Sequence, residues 1–128
     1  MAFLVDSHVL FWILAKPALL GKRAKQIIEL ESEIFFSSIS IAEFKIKAML
    51  GKVDFPDSIY DAIVGNDFVE LTFSSQHALE MGRYGSLARH EPFDRMLLAQ
   101  ASKERLRLLT ADKVLLGLGL DFVVDATL

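Results

Sequence analysis

Four carboxylates, Asp6, Glu43, Asp94 and Asp112, have the surroundings from which a cation-binding centre is built. Asp6 directly follows the apolar run Phe3-Leu4-Val5, and Asp112 follows Leu108-Leu109-Thr110-Ala111. An acid between a strand and a helix often accepts backbone N–H bonds, and taken singly each of these two reads first as a cap. Glu43 and Asp94 interrupt apolar helix faces, where an unpaired carboxylate carries a large desolvation cost. At ~100° per residue, Asp94 shares a face with Leu97, Leu98 and Ala101, and Glu43 shares one with Ile39, Ile46 and Leu50. Internal pairing is the competing reading: Lys47 stands four residues after Glu43, and Arg95 four after Glu91. Asp94 has no such partner, although a first-turn acid facing the helix dipole would also account for it. Together, two acids at strand ends and two on inward helix faces describe an oxygen-lined pocket for a hard divalent cation, Mg²⁺ or Mn²⁺. The three histidines, His8, His77 and His90, lack close zinc-type spacing. His8 and His77 read as packing or surface residues, and His90, beside Pro92, as a local hydrogen-bonding group near the site.

Such a pocket needs elements to position it. Short Val-, Ile-, Leu- and Phe-rich runs alternate with longer stretches of helical period, which predicts an α/β chain with a parallel sheet covered by helices. The expected strands are Phe3 to Val5, Ile34 to Ser37, Phe68 to Leu71, Leu106 to Leu109 and Phe122 to Val124. Gly51 and Gly65-Asn66 mark helix ends, and Pro92 suits the first turn of a helix running to about Glu104. Open parallel sheets place their sites outside the carboxyl ends of strands, near the point where strand order reverses. Asp6 and Asp112 belong to such positions.

At 128 residues and 52% hydrophobic content the chain fits one domain spanning 1–128, with no repeat, linker or low-complexity tract. The absence of cysteine excludes disulfides, thiolate zinc sites and a cysteine nucleophile. Met1-Ala2-Phe3-Leu4-Val5 lacks a basic region and meets Asp6 before a signal-length apolar segment forms, so a cytoplasmic protein is expected. The longest apolar run without glycine, Val9 to Ala15, is far short of a membrane span. A net charge of -3 runs against phosphate binding unless basic residues cluster locally or bound cations reverse the sign of an acidic site. Three basic groups exist: Lys22, Arg23 and Lys25; Lys45, Lys47 and Lys52; and Lys103, Arg105 and Arg107. Each reads first as a solvated helix face.

Leu4-Val5-Asp6-Ser7-His8-Val9-Leu10-Phe11-Trp12 resembles the opening motif of VapC-type PIN domains. Ser40-Ile41-Ala42-Glu43 with Ile46-Lys47 is similar to that family's second acidic segment. His90-Glu91-Pro92-Phe93-Asp94-Arg95 with Leu98-Ala99-Gln100-Ala101 is similar to its third and most specific segment, and Leu109-Thr110-Ala111-Asp112 to its fourth. The likeness covers nearly the whole chain. Three positions depart from it: Ser7 where Thr is common, Glu91 where many members have Asp, and Ala42 where Trp is frequent. None removes an expected acid.

The resemblance implies a three-layer α/β/α fold with a five-stranded parallel sheet in the order 3-2-1-4-5. It also implies an RNA-cleaving toxin, inhibited by a cognate antitoxin and assembled as a homodimer. The corresponding chemistry is metal-assisted hydrolysis of a phosphodiester, with Asp6, Glu43, Asp94 and Asp112 holding one or two Mg²⁺ or Mn²⁺ ions. Thr110 or Ser7 would orient the attacking water, and Arg95 would contact phosphate. A phospho-acceptor signalling domain is the alternative from another class. It fits poorly, because Asp6 stands alone after the first strand and Glu70-Leu71-Thr72-Phe73 offers no acceptor Asp. A nucleotide-binding module lacks its glycine-rich loop after the first strand. An inactive PIN scaffold, acting only as a binding partner, is disfavoured because all four acids are present.

Overall fold

The computed structural model describes residues 2–31, 33–52 and 58–128. At the centre is β1, Phe3–Val5, every residue of which is buried. A strand without a polar residue is suited to a sheet interior covered on both faces. It pairs in parallel with β2 (Ile34–Ser37) on one side and β4 (Arg107–Thr110) on the other. β3 (Val69–Leu71) extends the sheet beyond β2, and β5 (Val123–Asp125) beyond β4. The five parallel strands run in the order β3-β2-β1-β4-β5, as expected, and unlike the 2-1-3-4-5 order of phospho-acceptor receivers. β3, β4 and β5 each begin one residue later than the apolar runs suggest. Leu106 is one such residue: its N–H turns back to the Ala101 carbonyl and closes the preceding helix instead of joining the sheet.

The helices are α1 (Ser7–Ala15), α2 (Lys22–Leu30), α3 (Ser38–Met49), α4 (Ile59–Gly65), α5 (Ser75–Glu80), α6 (Pro92–Glu104) and α7 (Lys113–Leu116). Side chains alternate across the pleated strands. Phe3, Val5, Phe36 and Leu109 therefore pack with Val9 and Leu10 of α1, Ala24 of α2, Phe44 of α3 and Ile63 of α4. Leu4 and Leu108 face the other way, onto Leu97, Leu98 and Ala101 of α6 and Leu115 of α7. Two helical layers thus enclose one sheet. α3 ends before Gly51, whose φ of +71° is a conformation that side chains resist. α4 ends at Gly65 with Asn66 as its cap, and Pro92 opens α6. No described helix is long and apolar enough to cross a membrane.

Candidate functional site

The strand order reverses between β1 and β4, and the carboxyl ends of these neighbouring parallel strands carry Asp6 and Thr110. Asp6 is buried and caps α1: its Oδ1 accepts the Val9 N–H at 2.8 Å. Its second oxygen accepts a short hydrogen bond from the Thr110 hydroxyl. The same hydroxyl oxygen accepts the Asp112 N–H at 3.0 Å, so Thr110 ties the two strand ends together. Asp112 in turn caps α7, with Oδ1 accepting from Val114 at 2.8 Å and Leu115 at 3.2 Å. Both acids are therefore caps, and each keeps an oxygen outside its cap. Burial pushes Asp6 up to about 6, against the lowering effect of the Thr110 and Val9 hydrogen bonds.

Asp94 enters from α6. Glu91 caps that helix through the Asp94 N–H at 3.0 Å. This first turn sets Asp94 on the buried face with Leu97, Leu98 and Ala101, as its helical phase predicts. Its carboxyl meets that of Asp112. Burial, the hydrogen bond to Asp112 and the Asp112 charge raise Asp94 to about 8. Burial also acts upward on Asp112. It is outweighed by the Asp94 hydrogen bond, the α7 amides and His90, leaving Asp112 below the usual carboxylate range. The two shifts are linked: a proton on Asp94 favours the charge on Asp112. His90 Nε2 lies 3.4 Å from an oxygen of each, and one ligand atom from each of the three residues lies within 4.8 Å of the others.

Glu43 is buried on α3, but of its expected companions only Ile39 packs against the core. Ile46 and Leu50 are largely exposed, and the buried face is Ser40, Glu43 and Phe44. The reason is tertiary: α3 presents this face to the sheet, and the apolar stripe through Ile46 and Leu50 points away. Lys47 pairs with Glu43 Oε2 at 2.6 Å, as the spacing allows. Oε1 is buried without a hydrogen-bond partner among the described residues. Glu43 and Asp6 are close enough for the Glu43 charge to raise Asp6, and Asp6 does the same to Asp94. Among the described residues, Asp94 and Asp112 cluster with His90, while Asp6 and Glu43 join this series only through their charges.

The supporting residues divide. Thr110 is central. Ser7 bonds the Ser40 hydroxyl at 2.8 Å and is buried beside the series. Arg95 does not pair with Glu91: its guanidinium donates to the Ala88 carbonyl at 3.0 Å, because the Glu91 carboxylate is occupied in capping α6. His77 is buried, accepting from the Ser74 N–H at 3.0 Å and meeting Glu104 at 2.8 Å, a packing role as expected. His90 was legible only as a local hydrogen-bonding group. Its placement four residues before Asp94 was the available signal, since one turn of helix brings such a pair together.

These residues fit a hard divalent cation. Two carboxyl groups with oxygens within 4.8 Å of each other favour a proton or a cation between them, and a buried glutamate oxygen has no donor among the described residues. Carboxylate oxygens with one imidazole suit Mg²⁺ or Mn²⁺.

Residues 3–118 match the PIN domain family. No curated protein matches the chain. Among solved structures, VapBC2 from Rickettsia felis, bound to a promoter DNA fragment, aligns at a TM-score of 0.69 with 16% identity, covering 98% of this chain and 97% of that one. DNA-bound VapBC from Salmonella typhimurium aligns at 0.65 with 20% identity, over 98% and 96%. VapBC-5 from Mycobacterium tuberculosis aligns at 0.60 with 18% identity, over 99% and 98%.

Proposed function

Because the chain belongs to the PIN domain family, we propose that it is a divalent-metal-dependent ribonuclease of the VapC type, restrained by a cognate antitoxin. The observation that carries this reading is the contact between Asp94 and Asp112 at the carboxyl end of the sheet, electrostatically linked to Asp6 and Glu43. Asp6, Glu43, Asp94 and Asp112 are the residues that would hold Mg²⁺ or Mn²⁺, with His90 beside the last two. The bound ion would supply Lewis acidity, making water a better nucleophile at neutral pH and offsetting phosphodiester charge.

The chain's own residues do the rest. Thr110 fixes Asp6 and the Asp112 backbone through one hydroxyl, so the acids from β1 and β4 keep a constant separation. Glu91, by capping α6, fixes the turn that carries Asp94. Lys47 neutralises one Glu43 oxygen and leaves the other free. A net charge of -3 does not oppose RNA binding once cations occupy the acidic site. The antitoxin and a second copy of the chain are the protein partners of this reading; the VapBC complexes among the structural neighbours support the first of them.

Asp94→Asn tests the proposal. Wild-type protein is expected to cleave single-stranded RNA with Mg²⁺ or Mn²⁺ and to lose that activity with chelator. The variant should fold, by circular dichroism, and not cleave. Full activity in the folded variant removes Asp94 from the catalytic set.

A further inference from the structure

A cavity adjoins the acidic series at Asp112. It has a volume of about 320 Å³ and is lined by His8, Trp12, Ala111, Asp112 and Thr127. Asp112 is therefore a shared wall, with Asp94 and His90 near its carboxylate and the cavity alongside. Trp12 follows His8 by four positions on α1, so imidazole and indole lie about one turn apart on the same helix face. Ala111, next to Asp112 in the chain, adds a small side chain to the lining.

The far wall is held firmly. Thr127 donates both its N–H, at 2.8 Å, and its hydroxyl, at 2.7 Å, to the same Asp125 oxygen. On either side of it, Ala126 donates to the Thr110 carbonyl at 2.8 Å, and Leu128 accepts from Ala24 at 3.0 Å. A Cβ on Gly21 would lie 2.1 Å from the Leu128 backbone, so only glycine there admits this segment. With its proton committed to Asp125, the Thr127 hydroxyl offers the cavity an acceptor.

Resting on the ribonuclease reading, the geometry points to this cavity as a nucleobase subsite, in which a base flanking the scissile phosphate stacks on Trp12 and His8. Three features select a base over other groups. Planar π-surfaces one turn apart suit a flat heteroaromatic ring. The volume of this half-open cavity lies at the small end of the range of small-molecule sites. Its shared wall with Asp112 keeps any occupant within one nucleotide's reach of the acids. Base-on-aromatic stacking tolerates different bases, and removing such a platform typically weakens binding by roughly five- to a hundred-fold. Arg and Lys are absent from the lining, so recognition falls on the base and not on its phosphate.

Trp12 is the single tryptophan of the chain, so indole emission, excited apart from the two tyrosines, reports on this cavity. The experiment titrates the Asp94→Asn protein in Mg²⁺ with a short single-stranded oligoribonucleotide, then with an abasic oligomer of equal length and charge. The RNA is checked for integrity afterwards. Saturable quenching by the first and little by the second is expected. In the wild-type background, Trp12→Leu and the surface variant His8→Ala should each raise KM for RNA, Trp12→Leu by about ten-fold or more. Because Trp12 also packs against the core, His8→Ala keeps the test informative if Trp12→Leu folds poorly. Equal emission with both oligomers, together with wild-type KM in His8→Ala, overturns the subsite even if the wild-type protein cleaves RNA well. If no RNA is cleaved, the ribonuclease reading fails by itself. Base-dependent quenching would then still support a nucleobase site, and its absence would overturn it.

Discussion

Replacing Asp94 with Asn should stabilise the metal-free protein at alkaline pH. In the native state Asp94 holds its proton up to about pH 8, whereas an ordinary Asp releases it near 3.8. A carboxyl raised in this way makes the native state bind more protons than the unfolded chain across that interval. Its cost is absent below the unfolded value, grows as pH rises from about 4, and levels off above about 8. At ~1.4 kcal/mol per pKa unit, the full interval sets an upper bound of about 6 kcal/mol. Two like charges ~4 Å apart at an effective dielectric of ~20 give a smaller figure, about 4 kcal/mol. Part is returned, because Asp112 is stabilised by the Asp94 proton. A side-chain amide needs no proton uptake and can donate the same bond to Asp112, so it keeps that gain. The expected net effect is about 2 kcal/mol at pH 8 in chelator, vanishing near pH 4, or roughly 6–10 °C in Tm at the alkaline end. Asp6, raised to about 6, slopes the same way in both proteins, so their difference isolates Asp94. Thermal melts of both proteins from pH 4 to 8 with EDTA measure it. A variant less stable than wild type at pH 8, or one with an unchanged pH slope, would refute the reasoning.

Mg²⁺ or Mn²⁺ at about a hundred times its dissociation constant should add about 2.7 kcal/mol to wild-type stability if it binds only the native state. Calorimetry should show that shift shrinking in Glu43→Gln, which keeps the volume and removes the charge. Thr110→Val removes a hydroxyl that donates to Asp6 and accepts from the Asp112 N–H. We expect a loss of about 1–3 kcal/mol in urea denaturation and slower RNA cleavage, whereas Thr110→Ser should restore both.

Much of the fold was legible because local chemistry and tertiary environment agree. Phe3-Leu4-Val5 has no polar residue, and a strand of that kind belongs in the interior of a covered parallel sheet. Pro92 opens α6, and the phase of Asp94 with Leu97, Leu98 and Ala101 predicts its burial correctly. The same phase argument places Ile46 and Leu50 inward with Glu43, where the structure exposes both. Helical periodicity measures an angle about one axis, but the side on which the sheet lies is decided by packing, and packing buried Ser40, Glu43 and Phe44. The bond between Thr110 and Asp6 spans 104 residues of sequence, beyond any local pattern. His90 joins Asp94 and Asp112 because α6 and the end of β4 converge there. The sequence alone determined which acids were available and the elements that carry them. Only the tertiary structure decided their distances, which acid keeps a proton and which cavity lies beside them. Those properties depend on desolvation and on charges a few ångströms apart, and neither exists until the chain has folded.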